Sequence, residues 1–209
     1  MEIKKVDLKW NGRLQELCIS KVKYIMLHHT AHPTWNIYDV HKYHRDRNKW
    51  VGIGYNFFIE KDGTIEEGRG FNIGAGATGY NSNSIHICFA GNFENQTPTK
   101  EQIESGKELV RYLLSITPLN TSVIGHKDIG KTACPGKNFP LDEFKKMKRE
   151  VIKMFEQGQG KEAIDYLVEH GRITDKEQAL KKLEIVKNEG WTYIKWANDV
   201  KELERIRKN

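Results

Sequence analysis

Three residues far apart in the chain carry side chains suited to holding a metal ion: His28, His126 and Cys134. Each sits in a short motif: Ile-Met-Leu-His-His-Thr at 25–30, Val-Ile-Gly-His-Lys-Asp at 123–128 and Thr-Ala-Cys-Pro-Gly at 132–136. Two imidazoles and one thiolate make a three-ligand zinc set with its fourth position open, and an open position separates a catalytic zinc from a structural one. Such a centre makes water a nucleophile near neutral pH, so convergence of the three would produce a hydrolase. Spacing along the chain does not itself bring them together. Neither a Cys-x-x-Cys pair nor a His-Glu-x-x-His helix motif is present.

The elements that must position these residues read as α/β. Tyr24–Leu27 is a short apolar run ending in His28-His29-Thr30, as expected of a buried strand that delivers residues at its end. Ile37, Val40 and His44 recur at helical spacing between about Asn36 and Lys49. Lys61-Asp62-Gly63 separates the strand-like runs Gly54–Glu60 and Thr64–Gly68, a hairpin signal. Ser84–Ala90 reads as a fully buried central strand, with Cys88 a small core residue. Thr99 and Gln102 resemble a capping box, followed by an apolar helical face of Ile103, Leu109, Val110, Leu113 and Leu114. Ser122–Gly125 is a short strand feeding His126. Leu141, Phe144, Met147, Val151 and Phe155 predict a further amphipathic helix.

A polar, Gly-containing break at 156–160 separates residues 1–155 from a tail at 161–209. The tail reads as helical throughout, a small module for cell-wall binding or homodimerisation. The Trp191, Tyr193 and Trp196 cluster in it reads as core. Of the other histidines, His86 is expected to face a sheet layer, and His32, His41 and His170 to lie on the surface.

The 209 residues carry a net charge of +6, with the excess in the first 155. A basic balance suits polyanionic partners such as nucleic acid or walls bearing anionic polymers. The Lys and Arg residues are interspersed with acids rather than gathered in a stripe, which argues against a nucleic-acid face. No apolar run approaches the roughly 20 residues of a membrane span, so no membrane insertion is expected. The N-terminal segment has no apolar core followed by a small-residue cleavage site, so no secretory signal is read. Three cysteines, Cys18, Cys88 and Cys134, do not make a disulfide framework.

Further motifs run in order: Tyr43-His44, Trp50, Ile53-Gly54-Tyr55-Asn56-Phe57, Asp62-Gly63, Glu67-Gly68-Arg69-Gly70, Gly79-Tyr80-Asn81-x-x-Ser84-Ile85 and Gly91-Asn92-Phe93. With His28-His29-Thr30-Ala31, Gly125-His126-Lys127-Asp128 and Cys134-Pro135-Gly136, they resemble the type 2 N-acetylmuramoyl-L-alanine amidases. That family includes phage lytic amidases and animal peptidoglycan recognition proteins. The resemblance covers roughly residues 20–145. It implies a central mixed β-sheet flanked by helices, with a groove for peptidoglycan.

The implied activity is zinc-dependent hydrolysis of the amide between N-acetylmuramic acid and L-alanine, with one Zn2+ per chain on His28, His126 and Cys134. His28, directly after the apolar strand, takes the ligand position, and His29 becomes a supporting or groove residue. Tyr55 matches the family's catalytic tyrosine. Thr132, standing where phage members often carry Lys and recognition-protein amidases often carry Thr, is the second implied catalytic residue, expected to assist through a neutral hydroxyl rather than dominate. Trp50, Arg69 and Asn81 are the expected glycopeptide contacts. Two departures stand out. A Glu that some relatives carry on the central strand falls on Cys88, and a histidine of many relatives falls on Gly76, which removes a groove contact.

The implied protein is a phage or prophage endolysin, made in the cytoplasm and acting on the wall after release. Two other readings share the scaffold: a non-catalytic peptidoglycan-binding protein, and a cytosolic amidase recycling muropeptides. Binding-only relatives commonly lose the ligand that Cys134 represents. A glycan-cleaving enzyme needs a pair of carboxylates about 5–10 Å apart, and no such pair is singled out.

Overall fold

Alternation of side chains along short apolar strands builds the centre of the molecule. The computed structural model describes residues 1–118 and 120–147, together with positions 165, 169, 176 and 177. The linker at 156–160 lies outside the described residues, as does the accessory tail apart from those four isolated positions. Six strands form one sheet: β1 (Lys4–Lys5), β2 (Tyr24–His29), β3 (Phe57–Ile59), β4 (Ile65–Glu67), β5 (Ser84–Phe89) and β6 (Ser122–Gly125). Their order is β1-β4-β3-β5-β2-β6. β2 runs parallel to both β5 and β6, and β5 parallel to β3. The β3–β4 pair is antiparallel, so the sheet is mixed. Gly63, at φ +85°, makes the turn of this hairpin, a conformation glycine adopts without steric cost.

Both faces of the central strands are covered, as a parallel core requires. One face carries Ile25, Leu27, Phe57, Ile59, Ile85, Ile87 and Phe89. These pack against the apolar stripe of α2 (Lys100–Ile116) and against Leu141 and Phe144 of α3 (Leu141–Met147). The opposite face carries Phe58 and Cys88, covered by Ile37 and Val40 of α1 (Ile37–Lys42). The helix expected to run on to Lys49 instead passes into a single wide turn over Tyr43–Arg47. The capping box of α2 forms as read, with Thr99 Oγ1 accepting from Gln102 N–H and Gln102 Oε1 accepting from Thr99 N–H. The amide of Gln102 is buried and donates to the carbonyls of Ile59 and Ala90, which ties α2 to the ends of β3 and the β5 loop. Among the described residues no helix is long and apolar enough to cross a membrane.

Candidate metal centre

Successive residues of a strand point to opposite faces, so two adjacent histidines at the end of β2 cannot share a site. His28 falls on the α1 face. His29 falls on the α2 face, where its Nδ1 accepts from Phe93 N–H at 3.0 Å. β6 lies beside β2 and delivers His126 immediately after Gly125. The loop that follows returns Cys134: Lys127 N–H donates to the Cys134 carbonyl at 2.7 Å, and Cys134 N–H donates to Thr132 Oγ1 at 3.2 Å. The Cys134–Pro135 peptide is cis.

These three segments bring one ligand atom each from His28, His126 and Cys134 to within 4.8 Å of one another. His28 and Cys134 are buried and His126 is half-buried, so the cluster faces solvent on one side. Among the described residues it is the single such group of metal-ligating side chains. The donor set fits zinc. Nδ1 of His28 and Sγ of Cys134 stand 3.7 Å apart. Zinc bonded to both at about 2.1 and 2.3 Å with a tetrahedral angle would hold them about 3.6 Å apart.

Burial holds the imidazoles neutral, which leaves lone pairs for a metal. The His28 pKa lies well below the usual imidazole value, through desolvation and then the neighbouring His86 and His126. Desolvation also lowers His126, and it brings His86 to about 3. Burial pushes the Cys134 thiol up to about 12, opposed by the His29 N–H that donates to its sulfur at 3.4 Å. A metal that takes this sulfur therefore displaces a proton.

Tyr55 lies beside the cluster, its ring 5.0 Å from that of His28. Its hydroxyl pKa lies well above the ordinary tyrosine value through burial, reinforced by Cys88 and Cys134. It is thus a neutral O–H donor at physiological pH. His44 stands 5.5 Å beyond Tyr55, with its Nδ1 accepting from Gly54 N–H. Trp50, 37% exposed, packs on His44 at the rim, where an expected glycopeptide contact remains accessible.

Three of the expected substrate contacts make structural hydrogen bonds within the chain. Arg69 is buried, donating from Nε to the Ile53 carbonyl and from Nη1 to the Ile73 carbonyl, so its guanidinium holds two loops together. Asn81 Oδ1 accepts from Ala77 N–H and shapes the loop between them. The ring of His29 lies away from the centre, and its backbone N–H supports Cys134. Thr132 is exposed and its oxygen serves the Cys134 loop. His41, expected on the surface, is buried: its Nδ1 accepts from Ile53 N–H and its Nε2 pairs with the Lys9 carbonyl.

Sequence reading missed His86. It stands on β5 diagonal to His28, with its Nδ1 3.0 Å from His28 Nε2. The available signal was a polar residue inside the uninterrupted apolar run Ile85–Phe89, because a buried polar group needs a partner. Gly76 carries a different meaning as a result. A Cβ there would lie 2.7 Å from His86 Nδ1 and 3.3 Å from His28 Nε2. The missing side chain at 76 therefore leaves the space that His86 fills, rather than only an absent contact.

Comparison with known proteins agrees with this arrangement. A family model described as N-acetylmuramoyl-L-alanine amidase matches residues 19–137. Peptidoglycan-recognition protein SC2 of Drosophila simulans is 38% identical over 144 residues, covering 62% of this chain and 78% of that protein. The solved structure of the endolysin amidase LysCS from Clostridium intestinale is 35% identical, with a TM-score of 0.63 over 69% of this chain and 93% of that one. Peptidoglycan recognition protein-LE, solved with tracheal cytotoxin, a monomeric diaminopimelic acid-type peptidoglycan, is 28% identical with a TM-score of 0.62, covering 68% and 91% of the two chains.

Proposed function

This chain belongs to the N-acetylmuramoyl-L-alanine amidase family, and from that premise we propose that it is a zinc-dependent hydrolase of bacterial peptidoglycan. The bond cleaved joins the lactyl group of N-acetylmuramic acid to the L-alanine of the stem peptide. The observation that carries the catalytic half of this reading is the convergence of His28, His126 and Cys134. A surface that only binds the polymer has no use for a thiol and two neutral imidazoles gathered at one point.

His28, His126 and Cys134 would hold the zinc, which when bound would supply Lewis-acid polarisation of the scissile carbonyl and an activated water. The protein's own part is to hold that reaction in register. Neutral His28 and His126 offer lone pairs, and the His29 N–H supports the Cys134 sulfur. Tyr55 keeps its proton and donates it in a hydrogen bond to the oxygen that gains negative charge as the amide is attacked. Thr132 preserves the Cys134 loop. Trp50 offers an exposed aromatic face to the glycopeptide.

A second reading, peptidoglycan binding without cleavage, draws support from the recognition proteins among the relatives. Retention of Cys134 favours the enzyme. The similarity to a clostridial endolysin supports a lytic role, in which the protein is made in the cytoplasm and acts on the wall after release.

Digestion of purified peptidoglycan by zinc-loaded protein tests this. The expected products carry new N-terminal alanine and no new reducing sugar ends. Cys134→Ser should cut hydrolysis at least about 100-fold while sedimentation with peptidoglycan persists. Zinc-loaded wild-type protein that sediments with the polymer and releases no alanine termini would replace the enzyme with the binder.

A further inference from the structure

The His28–His86 pair holds a feature that packing does not account for. His86 is fully buried, and its Nε2 has no hydrogen-bond partner among the described residues. An imidazole kept there with one nitrogen unsatisfied is costlier than an apolar side chain of the same size. The surrounding structure nevertheless builds a close-fitting seat for it. Asn56 grips the backbone of residue 86 from both sides, its Oδ1 accepting from His86 N–H and its own N–H donating to the His86 carbonyl, each at 2.8 Å. Gly74 and Gly76 close over the ring, where a Cβ would stand 2.4 Å from Cδ2 and 2.7 Å from Nδ1. Among the described residues the ring's one hydrogen-bond contact is His28 Nε2, at 3.0 Å.

We propose that His86 is a positioning residue for the metal centre: its Nδ1 accepts a hydrogen bond from His28 Nε2–H, which locks His28 in the tautomer and ring orientation that leave Nδ1 free for the metal. His28 Nδ1 is the nitrogen that faces Cys134 Sγ, so a metal shared by these two residues requires a lone pair on Nδ1 and puts the proton on Nε2. A ligating histidine commonly hands its other N–H to a carboxylate, a carbonyl or water. Here a second neutral imidazole takes that place, and it can accept only at Nδ1. Its own proton then sits on Nε2, the atom left without a partner. One tautomeric arrangement thus explains both the short contact and the orphaned nitrogen. The inference rests on the zinc-centre reading but not on catalysis.

Two substitutions separate positioning from space-filling. Asn at 86 puts an acceptor oxygen where Nδ1 now stands, whereas Leu puts a methyl group there. In folded protein, His86→Leu should weaken zinc affinity about 10–100-fold in chelator competition, the usual cost of losing such a partner. His86→Asn should stay within about fivefold of wild type. A mere filler predicts the opposite order, because Leu suits a buried site better than Asn. Wild-type affinity in folded His86→Leu, or an equal loss in both variants, would overturn the proposal.

Nitrogen-15 NMR of metal-free wild-type protein provides a readout that needs no substitution. His28 should carry its proton on Nε2 and His86 should accept at Nδ1. A proton on His28 Nδ1 would sink the idea even if neither variant folds. Wild-type protein that takes up no zinc would instead remove the hydrolase reading, and the tautomer measurement would still decide what His86 does.

Discussion

His28 presents both ring nitrogens to partners, Nδ1 towards Cys134 and Nε2 towards His86. Around it every imidazole is kept neutral by burial, so lone pairs rather than charges line the centre. Tyr55 contributes differently, because the same burial raises its pKa and preserves its proton. Tyr55→Phe removes that donor without altering a ligand. We expect kcat on muropeptide to fall about 10²–10³-fold, the usual loss for one oxyanion donor, with zinc content unchanged by elemental analysis. Loss of zinc together with activity would show that Tyr55 acts through the ligands instead. Arg69 and Asn81 illustrate the reverse case. Their chemistry suits a glycopeptide, but backbone groups at Ile53, Ile73 and Ala77 already engage them.

At the scale of elements, strand parity sorts the neighbouring histidines, and β6 beside β2 supplies the second imidazole. The entry of α1 holds a separate titrating device. Asn36 and Asp39 cap the helix reciprocally, and Glu60 Oε1 accepts from Ile37 N–H. Glu60 also lies near Glu66 and Asp62, while Lys4 Nζ pairs with Glu66 Oε1 at 3.6 Å. Burial and the neighbouring acids Glu66 and Asp62 raise the Glu60 pKa from 4.5 to about 7, against the lowering effect of the Ile37 N–H. The folded state therefore binds a proton that the unfolded chain has released, and stability falls as pH rises from 4.5 to about 7. Glu60→Gln should raise the melting temperature at pH 8 by about 2–4 °C, and the gain should shrink at pH 5. A difference that is constant across that range would exclude titration of Glu60 as its cause.

Taken whole, the molecule assembles its candidate metal centre from positions 28 to 134, all within the described body and the 19–137 family match. A chain ending at residue 160 should therefore bind one zinc and cleave small muropeptides at close to the full-length rate, while sedimentation with whole walls weakens or a dimer is lost. Equal losses of cleavage and attachment would contradict an accessory role for the tail. The strands β2, β3, β4, β5 and β6, the capping box of α2 and the candidacy of His28, His126 and Cys134, which the fold brings together, were legible in the sequence. They rest on local causes: apolar periodicity, turn chemistry and residue types with few alternative uses. What only the folded chain decided was the company each side chain keeps. His86 and His28 are 58 residues apart, and no local pattern states that parallel β2 and β5 pair in the register that lets them touch. The same holds for Arg69, whose partners are carbonyls set by the path of two loops, and for Gly76, whose value is the space it leaves for another residue's ring. Element type follows from near neighbours in the chain, whereas burial, tautomer and hydrogen-bond partnership depend on which distant segments the sheet brings together.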